Sequence, residues 1–327
     1  MAPLLDIQDL TVQFPSPHGM LTVVDHVSLS VRRNEVVCLV GESGSGKSVT
    51  TQAAAGLVQA KGGRVTGGSV MFADRQLVGM SQRNLNRIRG NEIGFIFQEP
   101  MSSLNPAFTV GEQIAEVVRR HRGASRKDAW KRAVEMLDRV HIATADRRAH
   151  DYPHQFSGGM RQRVMIAMAI ACDPKLLIAD EPSTALDVTI QARIIKLLQE
   201  IQSESGMSVL FITHDLGVVA EIAHRVVVMY GAQVVEQADA ETLFRSPSHP
   251  YTAGLLGAMP QVALERGIDP IAIPGTVAQA YAWPSGCRFN PRCDFRVEGV
   301  CTGAPVVLRD SNGALVRCAR AGEWRAA

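Results

Sequence analysis

The sequence predicts an α/β fold built around a phosphate-binding loop (P-loop), with an antiparallel edge sheet and a small cysteine-bearing C-terminal extension. Three observations lead there. Gly41-Glu42-Ser43-Gly44-Ser45-Gly46-Lys47-Ser48 satisfies G-x-x-x-x-G-K-[ST] at every fixed position. Leu176-Leu177-Ile178-Ala179 is an apolar run closed by two acids, Asp180 and Glu181. Four of the six cysteines, Cys287, Cys293, Cys301 and Cys318, fall in the last part of the chain.

The loop stands where a phosphate site requires it. Val36-Val37-Cys38-Leu39-Val40 before it reads as a short buried strand, and Ser48, Val49 and the residues that follow read as the start of a helix. Glycines let the backbone curl so that successive N–H groups converge, and the helix end adds partial positive charge. Lys47 is then placed for the β- and γ-phosphates and the Ser48 hydroxyl for Mg²⁺. The expected ligand is a nucleoside triphosphate held by Gly41 to Val49.

The bulk properties agree. At 327 residues the chain exceeds one ordinary domain, which suggests a large domain plus an appendage. Hydrophobic residues make up 46%, enough for a substantial core, and a net charge of +2 makes no demand for nucleic acid as a partner. The start, Met1-Ala2-Pro3-Leu4-Leu5-Asp6, lacks a basic leader, and no apolar run reaches the roughly 18 residues of a spanning helix. A soluble, cytoplasmic protein is expected, so that any pore would belong to other subunits.

Taken in order, Ile7 to Phe14 and Leu21 to Val31 alternate apolar and polar residues and suggest an antiparallel edge sheet, with Val65 to Phe72 a further strand. Phe14 is a candidate for stacking on an adenine and equally a candidate core residue. Ile93-Gly94-Phe95-Ile96-Phe97 makes a buried strand ending at Gln98, whose amide is suited to a γ-phosphate and its Mg²⁺. Arg126 to Val140 has helical spacing at Ala129, Ala133, Met136, Leu137 and Val140, and the basic cluster from Arg119 to Arg132 reads as a solvated face, with an anionic surface as the functional alternative. Ser157 is a good helix cap, and Gly158 and Gly159 leave room for a phosphate at that helix start. Asp180 would hold Mg²⁺ and Glu181 would act as general base on the attacking water. Val209 to Ile212, Val226 to Tyr230 and Gln233 to Glu236 are three more strands, and Tyr251 to Met259 a helix.

In this order the motifs resemble the ATP-binding subunit of an ABC transporter, a family with a RecA-like P-loop NTPase core, an antiparallel β subdomain and a helical subdomain. The Walker A loop is Gly41 to Ser48, the Q-loop residue Gln98, and the signature Ser157-Gly158-Gly159. Walker B and its catalytic acid are Asp180 and Glu181, the D-loop Ala185-Leu186-Asp187, and the switch histidine His214 in Ile212-Thr213-His214-Asp215. The signature departs from the usual pattern at Phe156 and Met160, neither of which removes the cap or the glycines. The resemblance implies ATP sandwiched head-to-tail between two such subunits, with Glu181, His214 and Gln98 as catalytic residues. Glu99 to Pro106, the segment around Phe156 to Ala169, and Ser248-His249-Pro250-Tyr251-Thr252 narrow the likeness to the dipeptide/oligopeptide importers and their D-type subunit. That branch implies a second, different ATPase subunit, two permeases, a substrate-binding protein, and a place at the cytoplasmic face of the membrane. In it, Glu99 to Pro106 receives a coupling helix of the permease. Other cargo (nickel, glutathione, cationic peptides, oligosaccharide) is the alternative within the class, and an ABC ATPase acting on nucleic acid or ribosomes is the alternative outside it.

The boundary is expected near residue 241: a nucleotide-binding domain over 1–241, with its helical subdomain near 100–165, and an extension over 242–327. A Pro/Gly-rich stretch, Pro260 to Pro284, reads as irregular. The cysteines beyond it are better suited to a metal than to disulfides in a reducing compartment. Their gaps lack a C-x₂-C knuckle, and four thiols without histidine suit an iron–sulfur cluster, with zinc or free thiols as alternatives. Related peptide importers carry a [4Fe–4S] centre on this pattern. Cys38 and Cys172 lie in apolar runs and read as packed thiols.

Overall fold

A computed structural model describes residues 2–98, 103–182, 187–259, 269, 272–311 and 313–324. In chain order it contains β1 (Leu5–Ser16), β2 (Gly19–Val31), β3 (Val36–Val40), α1 (Lys47–Ala54), β4 (Arg64–Phe72), β5 (Arg75–Gln76), α2 (Gln82–Ile88) and β6 (Ile93–Ile96). There follow α3 (Val110–Arg122), α4 (Arg126–Arg139), α5 (Ala145–Arg148), α6 (Gly158–Ile170), β7 (Leu176–Asp180), α7 (Val188–Ser205) and β8 (Ser208–Ile212). The last are α8 (Leu216–Ile222), β9 (Arg225–Tyr230), β10 (Gln233–Asp239), α9 (Ala240–Arg245), α10 (Pro250–Gly257), β11 (Arg309–Ser311) and β12 (Ala314–Val316). These elements fall into two compact units. One comprises Met1–Leu4, Val31–Glu35 and Gly79–Ile212, the other Leu5–Ser30, Val36–Val78 and Thr213–Ala327.

In the first unit β6, β7 and β8 pair in parallel, with Ile93 opposite Leu176 and Asp180 opposite Ile212. Parallel strands are covered on both faces, and the near-continuous apolar runs of β7 and β8 are accordingly buried throughout. Helix α3 packs on α4, and α4 on α6. Ala129, Ala133, Met136 and Leu137 of α4, the positions picked out by helical spacing, are the ones it buries. Thr109 and Ser125 cap α3 and α4 by accepting from the backbone N–H groups of Glu112 and Asp128.

The basic cluster between these helices is solvated in part, with Arg120, Arg126, Lys127 and Lys131 exposed as expected, while three of its arginines have partners inside the unit. Arg119 pairs with Glu112 at 2.6 Å, Arg132 donates to the Ala171 carbonyl at 3.1 Å and to Asp173 at 2.7 Å, and Arg122 donates to the Cys172 carbonyl. Three guanidinium groups from α3 and α4 are thus used inside the unit, two of them on carbonyls at the end of α6 that the helix leaves without partners.

The second unit holds the four-stranded sheet β2-β1-β4-β5 and the run β11-β12-β10-β9-β3. β1 and β4 are antiparallel, with Leu5 opposite Phe72, as the alternating patterns predict. β3 and β9 are parallel, and β10 turns back on β9. The extension is more regular than its composition suggests: β12 pairs with β10, Glu236 opposite Val316, and β11 pairs with β12. Pro260 to Pro284 lies partly outside the described residues.

Candidate functional site

The phosphate loop lies in the second unit, and its curled form is set by backbone atoms. Gly41 has φ +146° and a Cβ there would lie 2.1 Å from the Met229 carbonyl oxygen; at Gly46, φ +99°, it would lie 2.5 Å from the Val23 carbonyl oxygen. Neither position admits a side chain. The Ala232 N–H donates to the Ser45 carbonyl at 3.2 Å and the Ser45 N–H to the Glu42 carbonyl at 3.2 Å. Lys47, the first residue of α1, is buried, and its Nζ donates to the carbonyls of Gly41 at 2.8 Å and Glu42 at 3.0 Å. The ammonium therefore stays inside the curl of its own loop, while Ser43 and Gly44 are exposed and Ser48 and Val49 are half-buried. Phe14 is half-buried with its ring against Gly63, where a Cβ would stand 2.5 Å from the ring carbon Cζ. His214 is exposed, just before α8, whose N-terminus is capped by Asp215 accepting from Gly217 and Val218.

The first unit carries the acids. Asp180 ends β7 and is buried, and Glu181 follows with φ +46°, a left-handed conformation uncommon for glutamate. Its N–H donates to the Ile212 carbonyl at 3.0 Å, which continues the β7–β8 ladder to that point. The exposed Gln98 amide donates to Glu181 Oε2 at 3.2 Å. The structure therefore brings Gln98 and Glu181 together from two strand ends. Ser157 caps α6 by accepting from the Met160 N–H at 3.4 Å. Gly158 is exposed; Gly159 has an internal reason to be glycine, since a Cβ there would come 2.7 Å from Ile190 on α7. Asp187 caps α7, accepting from the Ile190 N–H at 2.9 Å, while Ala185 and Leu186 of the same motif, and Glu99 to Ser102 after Gln98, lie outside the described residues.

Sequence reasoning missed two residues at the loop. Glu42 has its N–H bound to the Tyr251 hydroxyl at 2.9 Å and its carboxylate held by the buried Arg292 through two bonds, 2.6 and 2.9 Å. Tyr251 belongs to the Ser248 to Thr252 stretch, so a signal existed, although not one that named a partner. For Arg292 no signal existed, since its partner is 250 residues away. Next to Tyr251, His249 is fully buried, and burial pushes it down to about 3; it is a neutral acceptor for the Tyr251 N–H at 3.0 Å.

Cys287, Cys293, Cys301 and Cys318 line one small cavity together with His249 and Phe289. No group of three or more His, Cys, Asp or Glu among the described residues is arranged to hold a metal ion, so the cluster and the zinc expected from the cysteine pattern gain no coordination geometry. Burial raises Cys287 and Cys293 to about 11 and also raises Cys318, which keeps these thiols protonated at neutral pH. Cys38 and Cys172 are packed thiols, as expected, each raised by burial.

Comparison with known proteins adds the family context. Residues 24–184 match the family described as ABC transporter, and residues 235–301 the oligopeptide/dipeptide transporter C-terminal region. A putative peptide import ATP-binding protein of Brucella melitensis is 50% identical, with 97% of each chain covered. The oligopeptide transport ATP-binding protein OppD of Salmonella typhimurium is 48% identical over 96% of this chain and 93% of its own. Among solved structures, the ATP-binding cassette MJ0796, a dimer in a post-hydrolysis state with ADP and Pi, superposes with a TM-score of 0.65 at 29% identity, covering 72% of this chain and 98% of that one.

Proposed function

The chain belongs to the ATP-binding proteins of ABC transporters, in their oligopeptide/dipeptide branch, and from that membership we propose that it hydrolyses ATP to drive import of di- or oligopeptides across a membrane. The observation that carries the reading is the phosphate loop, curled by two obligate glycines around a buried lysine. No helix among the described residues is long and apolar enough to cross a membrane. On the family reading, the chain works at the cytoplasmic face through two permease subunits, fed by a substrate-binding protein. Its other partner is a second, different ATPase subunit; nucleic acid is not among them. The nucleotide-binding domain spans 1–241 and the extension 242–327.

The residues divide the chemistry as follows. The loop amides and Lys47 offset the charge of the β- and γ-phosphates, with Phe14 on the adenine side. Ser48, Gln98 and Asp180 would hold Mg²⁺, which would offset phosphate charge. Glu181 takes a proton from the attacking water, positioned with Gln98, and His214 supplies compensating charge at the γ-phosphate. Ser157, Gly158, Gly159 and Asp187 serve the nucleotide of the neighbouring subunit, as a helix start suits a phosphate. Glu181→Gln is expected to bind ATP while turnover falls by about 10²-fold or more, the usual loss for a missing base; near-normal phosphate release would assign the base elsewhere.

The extension carries a second element of the reading, a [4Fe–4S] cluster on Cys287, Cys293, Cys301 and Cys318, with Zn²⁺ as the alternative. Its support is the donor set: four thiols on one cavity that the buried His249 also lines. A bound cation would draw the protons from these thiols, and the group would serve to hold the extension together. Iron and acid-labile sulfide are measured after anaerobic purification; colourless protein free of both excludes the cluster.

A further inference from the structure

The phosphate loop contains an acid that binding a triphosphate does not call for. Glu42 is the second residue of a loop whose ligand is a triphosphate, and an unscreened carboxylate there would repel it. The structure deals with this carboxylate from the far end of the sequence. Arg292 reaches it with both terminal nitrogens, Nη1 to Oε2 at 2.6 Å and Nη2 to Oε1 at 2.9 Å, the two-pronged geometry in which guanidinium and carboxylate pair most strongly. The guanidinium is itself fixed: Nε donates to the Pro274 carbonyl at 2.7 Å, and its plane lies 5.7 Å from the Tyr230 ring centroid. The backbone of Glu42 is held as well, its N–H by Tyr251 and its carbonyl by Lys47. Every polar group of this one residue is therefore occupied, and two of its partners come from the extension.

We infer that Arg292 is a positioning residue for the nucleotide: by neutralising and fixing the Glu42 carboxylate, the extension sets the ATP affinity of the phosphate loop. This rests on the reading of that loop as the ATP site. A simple brace predicts a different pattern from a charge screen. If Arg292 only braced the loop, breaking the pair from either side would weaken nucleotide binding. If it screens the carboxylate, removing Arg292 weakens binding and removing the carboxylate does not.

The test is equilibrium binding of MgATP to the full-length chain, read by displacement of a fluorescent ATP analogue, with thermal unfolding as a check on the fold. Arg292→Met is expected to raise Kd about tenfold, the order of one uncompensated unit charge beside a partly desolvated phosphate. Glu42→Gln with Arg292 intact is expected to lower Kd by about threefold, since a cation is then left uncovered near the phosphates. The double variant Arg292→Met with Glu42→Gln returns to within about twofold of wild type, and Arg292→Lys, which keeps the charge, to within about threefold. In the assembled transporter the Arg292→Met effect is expected in KM for ATP and not in kcat. Should Arg292→Met not fold, Glu42→Gln and Arg292→Lys decide alone. Weaker binding by Glu42→Gln, or an Arg292→Met chain that binds as wild type, overturns the inference. Lys47→Ala separates the two levels: if it binds MgATP as well as wild type does, the phosphate-loop reading itself fails, whereas lost binding by Lys47→Ala beside an unchanged Arg292 series rejects this inference alone.

Discussion

Two glycine-bearing helix starts, Gly41 to Lys47 ahead of α1 and Ser157 to Gly159 ahead of α6, look alike in sequence and are built by different means. The first is enclosed: Gly41 and Gly46 face backbone carbonyls, the N-cap Gly46 is left-handed, and the lysine is buried. The second is open: Ser157 is an ordinary extended cap, Gly158 is exposed, and Gly159 faces a side chain, Ile190. A backbone carbonyl fixed in a strand cannot yield, whereas an isoleucine can change rotamer. The enclosed start is therefore shaped within its own unit, and the open one presents a surface whose form depends on a single cap. Such a surface is what a nucleotide brought by a neighbouring subunit would require.

That contrast can be broken at measurable points. The largest effect is expected from Gly41→Ala, which combines a forced positive φ with a contact of 2.1 Å against the Met229 carbonyl. A loss of about 3 kcal/mol or more, read in denaturant melts, follows from strain and overpacking together; a change under about 1 kcal/mol would mean that the loop is not enclosed. Tyr251→Phe strips the hydroxyl from the Glu42 N–H and is expected to cost about 1.5 kcal/mol. An unchanged melt would show that the extension does not contribute to the enclosure. Ser157→Ala sharpens the other side: about 1 kcal/mol lost from α6 with no change in MgATP binding to the isolated chain, as expected if that helix start serves the neighbouring subunit's nucleotide. A parallel loss of nucleotide affinity would contradict the division.

The difference also explains what could be read from the residues alone. The phosphate loop was legible because its constraints are local: a strand, a fixed glycine spacing and a helix lie within about fifteen positions, and sterics decide the rest. β7 with Asp180 and Glu181 was legible for the same reason, and the buried face of α4 followed from spacing. The left-handed turn at Glu181 and its contact with Gln98 depend on β6, β7 and β8 pairing side by side, which no single stretch encodes. Of the basic residues of α3 and α4, Arg120, Arg126, Lys127 and Lys131 are exposed as charge suggests, but charge alone does not reveal a carbonyl waiting at the end of a distant helix; Arg122 and Arg132 find theirs on Cys172 and Ala171. β11 and β12 escaped notice because three-residue strands have too little periodicity to register, and β12 takes its partner, β10, from much earlier in the chain.

The bond between Glu42 and Arg292 has a consequence for how the protein is made. During synthesis the acid leaves the ribosome 250 residues before its arginine, an interval of roughly 10–50 s at ordinary translation rates. Throughout that time the loop carries an unmatched negative charge, and a nascent or prematurely terminated chain meets cellular ATP with its phosphate site still unfinished. If Arg292 sets nucleotide affinity as inferred, synthesis of the extension becomes a condition for full nucleotide capture, and a truncated chain competes less for ATP.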